Sequence, residues 1–341
     1  MLEHCSVLQA EKHAEKLLAT VNDFQFLWAN KSFRIGVSIG LVVINHDTQE
    51  MSDVLSHADI ACYAAKNAGR NCIHIYQESD RDLALGHMEL QWISRINQAL
   101  NDDLFLLYIQ PIYKIDEYLN TPDHFEVLIR LRDIKGELIS PGAFLPAVER
   151  FNLSLQLDQW VIKEVFSWAK TIVQQNKTLP YLSINLSGQN LGSKKLLAFI
   201  KNQHEIHSEV AAGNICFEIT ETAAINNLTE AKVFISELKE VGFKFSLDDF
   251  GSGLSSFDYL KNLPVDYLKI DGQFVKDILD DPIDYALVNA INEIGHVMNK
   301  KTIAEYVENE QILEALTELK VDYVQGYYLG KPQSLDTYQS D

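Results

Sequence analysis

Eleven polar residues recur along the chain, each inside or just beyond a short apolar run: Glu126, Asn185, Glu218, Glu221, Asp248, Asp249, Lys269, Asp271, Glu305, Glu308 and Gln325, with Arg130 in the same run as Glu126. Singly, each has a plain explanation. Glu221 reads as a helix-start charge, Asp249 as a turn former before Gly251, and Glu308 as a solvated first-turn residue. As a set they ask for more. Carboxylates brought to one place cannot all stay ionised unless cations neutralise them. The donors are hard oxygens with no histidine among them, which suits magnesium or manganese better than zinc. Asp248 and Asp249 are adjacent and would face opposite sides of a continuing strand, so both reach one site only if the chain turns. Phe250-Gly251-Ser252-Gly253 offers such a turn. An aspartate pair of this kind can bridge two metals about 3.5–4 Å apart, an arrangement suited to phosphoryl hydrolysis. Lys269 sits near the end of the apolar run Tyr267-Leu268-Lys269-Ile270, where a lysine is costly unless paired. It is either a salt-bridged lysine or a cation that orients an attacking water and stabilises phosphate charge. Arg130 could clamp a phosphate oxygen by the same logic.

The elements that must carry these residues follow one pattern: a short apolar strand, a polar residue, then a helix. The expected strands are Leu104–Ile109, Phe125–Leu131, Tyr181–Leu186, Ile215–Thr220, Phe243–Leu247, Val265–Ile270, Thr302–Tyr306 and Tyr323–Leu329, separated by helical stretches such as Leu157–Val173 and Leu228–Val241. Eight strands alternating with helices predict an α/β fold, a closed (β/α)8 TIM-like barrel whose chemistry collects at the C-terminal ends of the strands. Only the first link departs, because Pro111 and a polar loop replace the helix, so a hairpin with an antiparallel first strand is expected there. Before the barrel, the chain reads as helix Glu11–Val21, a β-rich run Phe33–Ile44, helix Met51–Ala68 stopped by Gly69, and a strand Ile73–Tyr76. With two strands this is a thin core and part of a domain. Glu78–Met88 is expected to be a charged linker entering a helix near Glu89–Leu100, which sets the domains at 1–80 and 81–341.

Bulk properties narrow the partners. A formal net charge of −19 repels a nucleic-acid backbone, so extended DNA or RNA is not expected. A small phosphate ester remains acceptable if cations or a few basic groups invert the field locally. No run approaches the roughly 18 apolar residues of a membrane span, and the N-terminus lacks signal-peptide order. Cys5, Cys62, Cys72 and Cys216 have no ligand-like spacing and read as reduced thiols of a cytoplasmic protein.

The ordered motifs resemble a known family. EVLIR (Glu126–Arg130) is similar to the EAL signature, with Val127 in place of the middle alanine. It is accompanied by YIQP (Tyr108–Pro111), PGAFLPAVE (Pro141–Glu149), SINLS (Ser183–Ser187), FEITE (Phe217–Glu221), DDFGSG (Asp248–Gly253), LKID (Leu268–Asp271), AEYVE (Ala304–Glu308) and QGYYLGKP (Gln325–Pro332). The resemblance, over roughly residues 85 to 335, implies a phosphodiesterase barrel that hydrolyses cyclic di-GMP to linear pGpG with two Mg2+ or Mn2+ ions. It further implies that Glu126, Asn185, Glu218, Asp248, Asp249 and Glu305 hold the metals, with Asp248 as bridge. Lys269 would contact the catalytic water, and Glu221 would tether the loop after the aspartate pair. Gln110, Arg130, Gln325 and Pro332 would lie near the substrate, and Glu149 in the surrounding shell. Leu254 departs from the family's frequent tyrosine. Homodimerisation through the barrel is a further implication.

VSIGLVVI (Val37–Ile44) and ADIACYAAKNAGRN (Ala58–Asn71) resemble the C-terminal half of a GGDEF diguanylate cyclase domain. The glycine-rich acidic turn of that family occurs nowhere in the chain, so this part is expected not to make cyclic di-GMP. Lys66, Arg70 and Asn71 read as a capped helix end. The competing readings are a non-catalytic cyclic di-GMP receptor, which would bind without turnover, and a barrel phosphodiesterase for another ester, which would not bind the dinucleotide tightly.

Overall fold

A computed structural model describes residues 5–28, 31–34, 36–44, 51–77, 92–117, 121–133, 135–251 and 259–338. The chain divides into two compact units, Met1–Ser94 and Arg95–Asp341. In the first, helix α1 (Val7–Asp23) opens on a capping box in which the backbone N–H of Ser6 donates to the Gln9 side chain at 2.9 Å. A hairpin of β1 (Gln25–Trp28) and β2 (Lys31–Arg34) follows. Next, β3 (Ile39–Leu41), α2 (Met51–Asn67) and β4 (Ile73–Ile75) form a parallel unit. The expected single run Phe33–Ile44 is therefore two short strands, and β1 adds one that the apolar pattern did not announce. Helix α2 ends as its sequence suggests, with Gly69, Arg70 and Asn71 all at positive φ and the Arg70 N–H donating to Ala65 O. All four cysteines are free thiols. The expected linker Glu78–Met88 lies outside the described residues.

The second unit is an eight-stranded barrel. Helix α3 (residues 92–101) leads into β5 (Phe105–Lys114), then β6 (His124–Arg132) and the short β7 (Leu138–Ile139). There follow α4 (Pro141–Arg150), α5 (Ser154–Gln174), β8 (Tyr181–Asn185), α6 (Lys194–Ile206), β9 (Ile215–Thr220), α7 (Glu221–Asn226), α8 (Leu228–Val241), β10 (Lys244–Phe250) and β11 (Tyr267–Ile270). The unit ends with α9 (Gly272–Lys276), α10 (Pro282–Val297), β12 (Lys301–Ala304), α11 (Glu310–Glu318), β13 (Tyr323–Val324) and β14 (Gln333–Ser334). Around the barrel the order is β5-β13-β12-β11-β10-β9-β8-β6, closed by β6 on β5. β5 runs antiparallel to both neighbours and every other barrel pair is parallel, the hairpin start that Pro111 and the missing first helix predict.

Alternation along each strand separates two environments. On β9, Phe217 and Ile219 point to the helices and join the apolar core, while Cys216 and Glu218 point inward. Outside, Phe245 of β10 meets Phe234 of α8 and Phe217, in the one large cluster that also includes Ile200, Leu238, Leu268 and Ile291. Inside, the lower barrel is closed by aromatic rings. His124 is buried, hydrogen-bonded through Nε2 to Ser183 Oγ at 3.0 Å, with the rings of Tyr181, Tyr267 and Tyr323 centred 5.8–6.3 Å away. Two strands stop earlier than their apolar runs suggest. β12 ends at Ala304 because Tyr306 turns to positive φ. β13 ends at Val324 because the chain at Gly326 presses on Val307, where an added Cβ would lie 2.1 Å from the Val307 carbonyl oxygen. Among the described residues, no helix is long and apolar enough to cross a membrane.

Candidate active site

Barrel stagger decides which polar residues meet. Glu126 is the third residue of the nine-residue β6, not a strand-end residue as its motif suggests. It is level with Ser183, while Asn185 is level with Glu218 and Glu218 with Ser246. The stepping register still brings the Asn185 amide to Glu126, with Nδ2 donating to Oε1 at 2.7 Å. Gln325, just beyond β13, donates to Glu126 Oε2 at 2.7 Å, and Gln110 on β5 donates to Gly330 O at 3.1 Å.

Lys269 on β11 is the hub. It is fully buried, and its Nζ lies 2.9 Å from Glu218, 2.8 Å from Glu305, 3.1 Å from Asp248 and 3.6 Å from Glu126. Both readings of this lysine start from that geometry: it is ion-paired, and among the described residues it is the cation at the centre of the site. Asp248 and Asp249 do reach the same place: the chain turns at Gly251, at φ 100°, within the expected Phe250–Gly253 stretch, and the distortion already begins at Asp249. The β10–β11 register slips between Leu247 and Phe250, and Asp249 itself is at φ 54°. Carboxylate oxygens of Asp248, Asp249 and Glu305 lie within 4.8 Å of one another. Ser252, Gly253 and Leu254 lie outside the described residues.

Not every expected residue joins the cluster. The buried Glu221 carboxylate accepts from the Gly251 N–H at 2.9 Å and from the Tyr259 hydroxyl, so it grips the chain on either side of residues 252–258. Arg130 is four residues beyond Glu126, roughly 13 Å along the strand, and lies over the Tyr108 ring at 5.4 Å. Pro332 precedes the residue paired with Ile109, beside Gln110. Glu149 lines a separate cavity of about 360 Å3 with Asp158 and Asn185. Sequence reasoning missed Tyr306 and Tyr327, which with Gln110, Glu126, Glu305, Glu308 and Gln325 line a cavity of about 230 Å3 at the mouth. The signal was available in AEYVE and QGYYLGKP, where exposed tyrosines flank the polar residues.

Residues 93–332 match the EAL domain family model, well over half of the chain. The chain belongs to the EAL domain family. Residues 1–72 match the model of the diguanylate cyclase GGDEF domain. Among curated relatives, the cyclic di-GMP phosphodiesterase PdeB of Shewanella oneidensis is 40% identical over 309 residues, 91% of this chain and 36% of that protein. The cyclic di-GMP phosphodiesterase PdeF of Escherichia coli is 32% identical over 339 residues, 96% of this chain and 44% of that protein. The chain thus spans less than half the length of these two relatives. The solved structure of the PaMucR phosphodiesterase in complex with c-di-GMP superposes with a TM-score of 0.68 at 32% identity, covering 72% of this chain and 98% of that one.

Electrostatics in the EAL barrel are uneven. Burial pushes Glu218 and Glu305 up to about 8, and neighbouring carboxylates add to this against the pull of Lys269. Burial would raise Glu126 too, but Lys269 and the amides of Gln325 and Asn185 outweigh it and hold its carboxyl below the usual range. Lys269 is held firmly protonated, its burial overcome by Asp248, Glu126, Glu218 and Glu305. One lysine therefore does not neutralise the cluster, which retains protons at neutral pH. Among the described residues, the buried atoms Glu218 Oε1 and Gln325 Oε1 also have no hydrogen-bond partner, and Asp248 Oδ1 has only the Lys269 ammonium at 3.1 Å. Hard oxygen donors, surplus negative charge and unused lone pairs fit divalent cations of the magnesium type.

Proposed function

We propose that the EAL barrel hydrolyses cyclic di-GMP to linear pGpG with two Mg2+ or Mn2+ ions, which Glu126, Asn185, Glu218, Asp248, Asp249 and Glu305 would hold. The observation that carries this reading is the convergence of Asp248, Asp249 and Glu305 near Glu218 Oε1, a buried carboxylate oxygen with no hydrogen-bond partner among the described residues. The ions would supply Lewis acidity and a bound water of lowered pKa.

The chain's own residues do the rest. Lys269, protonated and fixed by Glu218 and Glu305, donates a hydrogen bond that orients the attacking water and offsets charge growing on the phosphate. The water oxygen bonds to phosphorus and the P–O3′ ester breaks, leaving the phosphate on the 5′ side and a proton on the departing 3′ oxygen. Gln110 and Gln325 hold Glu126 and its surroundings in register and face the bound phosphate, with Pro332 beside them. Arg130, standing far from the cluster, serves the distant part of the dinucleotide rather than the scissile phosphate. Glu221 acts as support, fixing Gly251 next to the aspartate pair. The same reading places the chain in the cytoplasm as a homodimer through the barrel, with no extended nucleic acid as partner. Light scattering on the purified protein tests the dimer.

Incubation with cyclic di-GMP and magnesium or manganese, with products resolved by chromatography, tests the reaction. A linear dinucleotide that vanishes with chelator is expected. Tight binding without product in either metal sinks the hydrolase in favour of a receptor.

A further inference from the structure

Nine non-glycine residues among those described have positive φ. Seven of them, Arg70, Asn71, Asp103, Asn152, Asn176, Asn299 and Lys320, follow the ends of α2, α3, α4, α5, α10 and α11, where such a residue closes a helix. The remaining two, Asp249 and Tyr306, end no helix. Each lies at the C-terminal end of a barrel strand, and both strands open onto the mouth. Asp249 owes its place at the cluster to this distortion. Tyr306 shares the distortion, and it is the one aromatic residue among the nine. Asparagine or glycine would sit at φ 62° with less strain, so the ring needs a reason to be there.

Its surroundings supply one. Tyr306 follows Glu305, lines the 230 Å3 mouth cavity and remains 53% exposed, so packing alone does not hold it. The neighbouring chain makes room for it: a Cβ added at Gly272 would lie 2.8 Å from Tyr306 Cβ and 3.0 Å from its ring. The ring therefore rests against the backbone at the start of α9, and Glu126 and Glu305 line the same cavity. Across the rim, Tyr327 is braced by Lys331, whose Nζ is 5.6 Å from the ring centre. The cavity is smaller than a drug-sized pocket and takes one part of a dinucleotide.

We infer that Tyr306 is a substrate-binding residue whose ring is a stacking platform for one base of the cyclic dinucleotide, next to the phosphate held over Glu126 and Glu305. This rests on the proposed function and adds the residue that would make the site prefer a base-bearing ester. Stacking is sequence-tolerant and worth about 1–3 kcal/mol per base, which converts to a 5- to 150-fold change in affinity.

Three variants decide it: Tyr306→Phe, Tyr306→Asn and Tyr306→Gly, the last two relieving the backbone strain and so expected to fold. Each is assayed with cyclic di-GMP and with an abasic diribose phosphodiester, an ester without bases or other aromatic rings, in magnesium or manganese. Dissociation constants for cyclic di-GMP are measured alongside. Tyr306→Phe is expected to match the parent. Tyr306→Asn and Tyr306→Gly are expected to raise KM and Kd for cyclic di-GMP about 5- to 150-fold while turnover of the base-free ester stays within twofold. Unchanged Kd for cyclic di-GMP in both strain-relieved variants overturns the platform and leaves the hydrolase reading standing. Equal losses on both esters also overturn it, because the ring would then be supporting Glu305. A parent protein that neither binds nor cleaves cyclic di-GMP overturns the functional reading and the platform with it.

Discussion

The same strands build two opposite interiors. At one level the barrel holds His124, Ser183, Cys216 and Tyr267, which are neutral, the first three buried and His124 ringed by tilted and edge-on tyrosines. Two residues further along the same strands come Glu126, Asn185, Glu218 and Lys269, a charged cluster. In the lower level the burial penalty has been removed by neutrality. The His124 ring, pushed down to about 4 by burial and by Lys269, carries no charge at physiological pH. In the upper level the penalty persists, as raised carboxyls and, among the described residues, a Glu218 oxygen without a hydrogen-bond partner. The difference teaches where the fold keeps its capacity for chemistry: one step of the pleat separates a plug from a site.

The largest expected break in this contrast is Asp248→Asn, which removes a carboxylate from the upper level only. Turnover of cyclic di-GMP should fall by more than about 100-fold, beyond the 10–100-fold typical of residues that merely support a metal ligand. Melting temperature should hold or rise without metal. Lys269→Met comes next, since it leaves Glu126, Glu218, Asp248 and Glu305 without their cation. Removing one partner from a buried ionic cluster costs about 3–5 kcal/mol. Denaturant unfolding without metal should show a loss of that order, partly recovered by added magnesium or manganese.

A subtler effect is on pH. Glu218 and Glu305 have folded values raised to about 8 from 4.5. The stability tied to their protons is complete below about 4.5 and is lost as pH rises toward 8. Metal that replaces those protons should bind more tightly over the same range, with proton release on binding. The gain in melting temperature from added metal should therefore widen between pH 6 and 8, and a gain that shrinks there would contradict the assignment. The smallest effect belongs to the lower level. His124→Phe keeps a ring and loses the bond to Ser183, so it should cost about 1 kcal/mol and leave kcat within twofold.

Much of this was readable before any coordinates. Short apolar runs alternating with helical stretches announce all eight barrel strands, and Pro111 with a polar loop announces the antiparallel one. Strand register was not readable, because it depends on how far each strand slides past its neighbours. That is why Glu126 reads as a strand-end residue and is found third in β6, and why Arg130 stands apart from the cluster it follows by only four residues. Local backbone geometry was equally hidden. Asp249 and Tyr306 reverse their φ without the glycine that usually signals it, so the expected turn at Gly251 comes without its start at Asp249, and β12 is expected too long. In the first unit, β1 and β2 are four residues each, too short for periodicity to assert itself.

Closure of the barrel joins the beginning of the domain to its end. Gln110 bonds to Gly330, and Glu126 takes a hydrogen bond from Gln325, 199 residues later in the chain. Contacts of such sequence separation are late events in folding, since the loop they close is costly until the intervening structure has formed. The first acidic residue of the site is thus completed by a residue from the last strand region of the barrel. A barrel still growing from the ribosome, or one shortened before β13, would have its carboxylates in the chain and no assembled centre, and so would stay silent until the fold is whole.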